Sequence, residues 1–469
     1  KIITEQDRIT AEASILHNII YIPDAEAPTP QSITAKSMHN IIISAPGVDA
    51  NCICKVICCT EQTELINCIG RRFSVRCAVK CVSHIENTSE LSIPVSIDGI
   101  DDVQVSESSY SISTNVENAV SYIDISEKLE LPIGKPSFKC LLKNDVSIND
   151  LAFTIGANEL GIKGNLVICT LYESDDTPGN LRTIENQLPF SDTIFVEQDD
   201  DNVIWNVSAF LNNFSAEIIE DNDGELRIID IKAMIKIDAY AHETISGNMI
   251  SDAYSLSQNF TLGSKTIDVY NSCSDVSSQF VLKTIASLPE GLPQISEIVS
   301  LSGQIGQTDI TVAEGCITID GIALCNILYI ADEKENPVGS FAIQIPFTQQ
   351  IDRKDITTTS IPALSLRVNH TSFSILSPTE TELRIAISAY GEVMKPGKLT
   401  VISDISECTD KSDTKEAQPS ILIYVVQQGD SLWKIAKRYS APIDILKSIN
   451  GIENADTLMP GEKLFIPKN

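Results

Sequence analysis

Through most of the first 400 residues, apolar and polar positions alternate with period two. In "CITIDGIALCNILYI", Ile317, Ile319, Gly321, Ala323, Cys325, Ile327 and Tyr329 share one face, and Thr318, Asp320 and Asn326 lie opposite. In "RFSVRCAVKCV", Phe73, Val75, Cys77, Val79 and Cys81 share a face, with Ser74, Arg76, Ala78 and Lys80 on the other. Cys52, Cys54, Val56 and Cys58 repeat the pattern. Alternation of this kind predicts strands with one buried face in antiparallel sheets. Polar turns such as "YESDDTPGN" and "ADEKENPVG" separate the strands, and helix-period patterns are scarce. The predicted fold class is mainly β: tandem antiparallel β-rich domains, sandwich- or barrel-like, with a short helix or turn after each "LPxGxP".

The pattern is also repeated. The sixty residues from Leu131 align without a gap with those from Leu288, at an offset of 157 and with fourteen identities. Leu131, Pro132, Gly134, Pro136, Gly164, Tyr172 and Phe190 each meet an identical residue. Each copy continues into a second apolar strand, "DIKAMIKIDAYAHE" and "TELRIAISAYGEV", after a seven-residue slip that predicts a longer loop in the earlier copy around "EDNDGEL". A degenerate first copy is expected before these, from "PTPQSI", "RRFSVRCAVKCVSHI" and "SIPVSI". The expected organisation is a first copy over 1–120, a second over 121–270, a third over 271–400, a polar linker over 401–420 and a last module over 421–469. A period near 150 residues fits tandem whole domains rather than a solenoid.

Only the end of the chain has helical periodicity. "LIYVVQ" reads as a strand. Asp430 or Ser431 can cap a helix whose Leu432, Ile435, Ala436 and Tyr439 fall at i, i+3, i+4 and i+7. Pro442 suits the start of a second helix with Leu446 and Ile449 inward and Gly451 ending it, and "EKLFIP" closes with a strand. The order is βααβ in under fifty residues.

Charge divides the chain in the same place. The net charge of −30 is confined to the first 420 residues, because residues 421–469 hold six Lys and Arg against five Asp and Glu. An acidic body has the wrong sign for phosphate, so no nucleic-acid partner is expected. No stretch approaches the ~18 apolar residues of a membrane span, so no transmembrane segment is expected. The first thirty residues lack a signal peptide's basic end and apolar run, which suggests a protein retained in the cell that makes it.

Candidate chemistry is sparse. Seven of thirteen cysteines fall between Cys52 and Cys81, but no C-x-x-C occurs, and their period-two placement suggests reduced core residues. His17, His39, His84, His242 and His370 are scattered without metal-ligand spacing. "EQDDD" and "EDNDGE" read as solvated turns, because the glutamate an EF-hand needs beyond its loop is missing. Trp205 and Trp433 read as packing residues. No nucleotide or hydrolase motif is present. The expectation is therefore no catalytic residue, no metal and no cofactor.

The last module, through "YVVQQGDSLWKIAKRY", "LKSIN" and "TLMPGEKLFIP", resembles a LysM domain. The resemblance implies a groove for N-acetylglucosamine polymers such as peptidoglycan, between two loops. Carried over, these are Gly429, Asp430, Ser431 and Leu432, and Asn454, Ala455, Asp456, Thr457 and Leu458. Leu432 and Leu458 could wall that groove or close the small core. The repeats, through "LPEGLPQISEIVS", "ILYIADE" and "IPF", resemble the SPOCS (DUF3794-type) domain of spore coat-associated proteins, which SipL-like proteins join to a C-terminal LysM domain. This implies a non-enzymatic assembly protein in the mother-cell cytoplasm at the forespore surface, with a spore coat morphogenetic partner (SpoIVA-like). The alternative is a peptidoglycan-binding protein outside sporulation.

Overall fold

The structure is a computed structural model and describes residues 2–24, 29–87, 90–100, 102–177, 179–197, 203–331, 338–407, 421–452 and 458–467. It divides into two compact units. The first takes residues 1–89, 115–243 and 273–395, and the second takes 90–114, 244–272 and 396–469.

The first unit opens with an antiparallel sheet of β1 (Ile2–Glu5), β2 (Arg8–Tyr21) and β3 (Gln31–Ser44), followed by a hairpin of β4 (Ile53–Ile69) and β5 (Arg72–Glu86). The cysteine row of β4 corrects the sequence reading in part. Cys52 is buried beside Ile9, Ala45 and Val48, but Cys54 is half-buried and Cys58 exposed. A two-stranded hairpin covers only part of its own face. Cys77 and Cys81 are half-buried on β5.

β6 (Val103–Glu130) belongs to this unit from residue 115 onward. Next come a three-stranded meander, β7 (Phe138–Gly156), β8 (Glu159–Ser174) and β9 (Leu181–Phe195), and a hairpin of β10 (Val203–Glu220) and β11 (Leu226–Ser255). β12 (Phe260–Ser287) then leads into a second meander, β13 (Ile295–Ala313), β14 (Cys316–Ala331) and β15 (Val338–Asp352), and a second hairpin, β16 (Ile361–Ser377) and β17 (Glu380–Glu407). Every strand of the second meander begins and ends 157 residues after its counterpart. The extra loop of the earlier copy is residues 221–225, where the Asp221 carboxylate accepts the amides of Asp223 and Glu225, both at 2.9 Å.

In each copy the meander packs against the hairpin as a two-layer sandwich. The face of β14 named from its alternation is the core: Ile317, Ile319, Ala323, Ile327 and Tyr329 are fully buried, with Cys325 beside them. They pack on Leu383, Ile385, Ile387 and Ala389 of β17. Leu160, Leu166, Ile168 and Tyr172 of β8 pack in the same way on Ile231, Ile235 and Ile237 of β11, around a buried Trp205. The shared glycine has a packing reason. A Cβ on Gly164 would lie 2.5 Å from the Phe190 ring, and one on Gly321 would lie 2.5 Å from Phe347. These rings pair directly across the ladder with their glycines. The turn expected after "LPxGxP" lies within it, and a strand follows directly at Phe138 and Ile295: Lys135 donates to the Pro132 carbonyl at 3.1 Å, Gly134 takes φ +91°, and Pro136 blocks a helix.

The second unit contains the other portions of the long strands. β6 and β12 meet at Ser113 and Tyr270, which are themselves 157 apart. The sheet order β10-β11-β6-β12-β17-β16 reads the same from either end when the two copies are exchanged. Met249, Leu399 and Val401 form a small core with Leu91, Ile93, Tyr110 and Ile112. Residues 92–97, the "SIPVSI" of the expected first copy, carry no strand; the Pro94 carbonyl accepts the Ile250 amide instead. The unit ends in β18 (Ile421–Val425), α1 (Leu432–Arg438), α2 (Ile443–Asn450) and β19 (Lys463–Pro467), with β18 antiparallel to β19. Of the expected linker over 401–420, residues 401–407 instead continue β17, and 408–420 lie outside the described residues. No helix among the described residues is long and apolar enough to cross a membrane.

Candidate functional site

The βααβ module is built around Leu432, Ile435, Ala436, Ala441, Leu446, Leu464 and Ile466, all buried. Ser431 caps α1: its backbone is extended (φ −127°, ψ 156°) and its hydroxyl accepts the Lys434 amide. Such a cap satisfies one of the unpaired N–H groups of the first turn. Pro442 precedes α2, and Gly451 ends it in the left-handed conformation at φ +64°. Two inward positions read from periodicity are corrected. Tyr439 caps the end of α1 with about a third of its surface exposed, and Ile449 is about half exposed. Helices of seven and eight residues are too short for their last turns to stay over the core.

The candidate groove residues have distinct local roles. Gly429 is exposed with φ +85°, a turn conformation that favours glycine. The Asp430 carboxylate accepts the Tyr424 hydroxyl at 2.6 Å and the Gln427 amide at 2.9 Å. Those bonds, the tyrosine's foremost, hold its carboxyl below the usual range. Arg438 donates to the same Tyr424 oxygen at 3.0 Å and stacks over its ring. Leu432 is 1% exposed in the small core, and Leu458, half-buried, packs against the same cluster. Asn454, Ala455, Asp456 and Thr457 lie outside the described residues.

Sequence reasoning missed two features. Asn450 clamps α2 to β19, donating to the carbonyls of Leu446 and Phe465 and accepting the Phe465 amide at 2.7 Å. The second is the attachment of the module within its unit. Trp433 donates to Asp252 on β11 at 2.8 Å, Lys437 makes an ion pair with the same carboxylate, and Tyr254 donates its hydroxyl to the Ala441 carbonyl at 2.7 Å. The rings of Tyr254 and Trp433 meet edge to face at 5.1 Å. Burial raises the Asp252 carboxyl, but the hydrogen bonds from Lys437 and Trp433 outweigh it and hold it below the ordinary value. These partners are about 180 residues apart, so no local signal could announce them.

The chain joins a capped βααβ module to repeated antiparallel β-sandwiches. Its domains are those of a SPOCS protein with a C-terminal LysM domain: the LysM family matches residues 424–467, and the SipL, SPOCS domain family matches residues 294–376. The latter span covers β13, β14, β15 and all but the last residue of β16. Similar proteins include a spore coat assembly protein, ExsA, of Bacillus cereus, 50% identical over 46 residues, which is 10% of this chain and 7% of that relative. SpoIVD-associated factor A of Bacillus subtilis (strain 168) is 46% identical over 46 residues, 10% of this chain and 12% of the relative. The chain thus covers only a small part of the length of these relatives. No solved structure matches the chain.

Proposed function

We propose that this chain is a non-enzymatic assembly protein of the spore envelope, linking coat morphogenetic machinery to the forespore surface by protein–protein contacts. Three SPOCS-type copies, over 1–120, 121–270 and 271–400, are its scaffold, and the LysM domain at 421–469 is its docking module. The observation that carries the reading is the joining of a SPOCS domain and a LysM domain in one chain. Its place of action is the mother-cell cytoplasm at the forespore surface, and its partner is a coat morphogenetic protein of the SpoIVA kind. A protein partner is favoured over a glycan by the module's own surface: Leu432 is used in the core, while Ile445 and Ile449, at i and i+4 on α2, are each about half exposed.

By resemblance to LysM grooves, the docking surface includes Gly429, Asp430 and Ser431 together with Asn454, Ala455, Asp456, Thr457 and Leu458. The test is retention of a coat protein from sporulating cells by the full chain, beside retention on purified peptidoglycan. Ser431→Arg and Asn454→Arg are each expected to weaken partner binding at least tenfold, about 1.4 kcal/mol, with unchanged circular dichroism. Retention on peptidoglycan alone would favour the glycan reading. Undiminished coat-protein binding by both variants would move the docking surface off the groove.

A further inference from the structure

His242 on β11, Cys273 on β12 and Glu392 on β17 meet in the first unit, buried to 7%, 5% and 4% of their surfaces. We propose that these three side chains bind one zinc-class divalent cation. The three ligand atoms all lie within 4.8 Å of one another. Cys273 Sγ is 3.3 Å from Glu392 Oε2, and His242 Nε2 is 3.3 Å from the same oxygen. Ligand edges of a tetrahedral zinc site, from metal distances of about 2.0–2.3 Å, are about 3.3–3.6 Å. The observed separations therefore already match two edges of that tetrahedron.

A second observation points inward to a ligand. His242 Nε2 and Glu392 Oε1 are buried atoms with no well-formed hydrogen bond of their own, although Nε2 lies 3.3 Å from Glu392 Oε2 and Tyr240 also acts on the Glu392 carboxylate. A buried polar atom normally has a partner, and its absence is costly. A cation at the centre would take the imidazole nitrogen and one carboxylate oxygen together. The charge balance agrees: besides Glu392, the half-buried Glu86 and the exposed Asp275 also act electrostatically on His242. One nitrogen, one thiolate and one carboxylate favour zinc over calcium or magnesium, which prefer oxygen. Three protein ligands leave a fourth position for water or an incoming group. Binding would displace the thiol proton to solvent and tie together strands of both sandwich copies.

The test uses the full chain, purified without chelator and freed of any metal-binding tag. Elemental analysis after zinc loading and desalting should find roughly one equivalent. Cobalt in its place should give a thiolate-to-cobalt charge-transfer band with the intense visible absorption of a four-coordinate ion. Cys273→Ser should abolish the band, His242→Gln should weaken cobalt binding at least tenfold, and Cys54→Ser, on another strand, should leave it intact. Chelation should lower the melting temperature of the unaltered chain, a readout independent of whether the variants fold. No stoichiometric metal in the unaltered chain, or a band that survives Cys273→Ser, would overturn the proposal and leave only a buried ion pair.

Discussion

His242 and Glu392 occupy the same place in the two sandwich copies, and they touch each other. Each lies two residues beyond the tyrosine of the shared "AY" step, Tyr240 or Tyr390, and Nε2 of one is 3.3 Å from Oε2 of the other. Ser113 and Tyr270, again equivalent residues, pair across β6 and β12. The repeat thus generates a local two-fold relation in which a residue meets its own counterpart. Divergence between the copies is what makes the contact chemically useful: two histidines or two glutamates there would repel, whereas one of each attract.

Glu392→Leu should therefore be far costlier than an average substitution. Removing one partner of a buried charged pair leaves the other unpaired, at about 3–5 kcal/mol. Urea unfolding should show that loss, and the double change His242→Leu with Glu392→Leu should cost clearly less than the sum of the singles. Additive losses would mean that the pair is not coupled.

The glycine under each aromatic ring should be irreplaceable without a compensating change. Gly321→Ala places a Cβ 2.5 Å from the Phe347 ring, and the expected destabilisation is about 1–3 kcal/mol. Phe347→Leu in the same chain should recover part of it, and Gly164 with Phe190 should behave alike. Equal melting temperatures for Gly321→Ala and the unaltered chain would contradict the packing described.

Trp433 should report attachment of the LysM module. The only other tryptophan, Trp205, is 2% exposed in a sandwich core and supplies a constant blue background. Asp252→Asn and Tyr254→Ala should each shift Trp433 emission to the red with little change in circular dichroism. Because the Asp252 carboxyl is held below its ordinary 3.8, its contribution is present above that pH and is lost as pH falls through the lower folded value. The same red shift should therefore appear on acidification below about pH 4. A spectrum unmoved by both variants would mean that the module is not held there.

The thiols should differ sharply in reactivity. Cys58 and Cys81 are directly opposed on β4 and β5, with their sulfurs 2.7 Å apart and Cys58 exposed. With diamide as oxidant, they should join first, the two thiols giving two electrons and two protons to the azo bond. Cys325 is buried in the second sandwich, and burial raises its thiol to about 11. It should stay unmodified by iodoacetamide until the chain unfolds. Peptide mapping by mass spectrometry distinguishes these outcomes, and early labelling of Cys325 would argue against its burial.

The period-two alternation of β14, the 157-residue offset and the helix cap at Ser431 were legible in sequence because each is a local or repeating constraint. Side-chain alternation follows from strand geometry, and a cap needs only its own first turn. The tertiary structure alone decided what lies across distance. Leu432 went to the core rather than to a groove because the short helix α1 has few apolar positions with which to close its module. Trp433 and Asp252 met because β11 brings a carboxylate to the side of that helix. His242, Cys273 and Glu392 are separated by 31 and 119 positions, so no spacing rule could join them. Only the pairing of two divergent copies places an imidazole, a thiol and a carboxylate within one ion's reach.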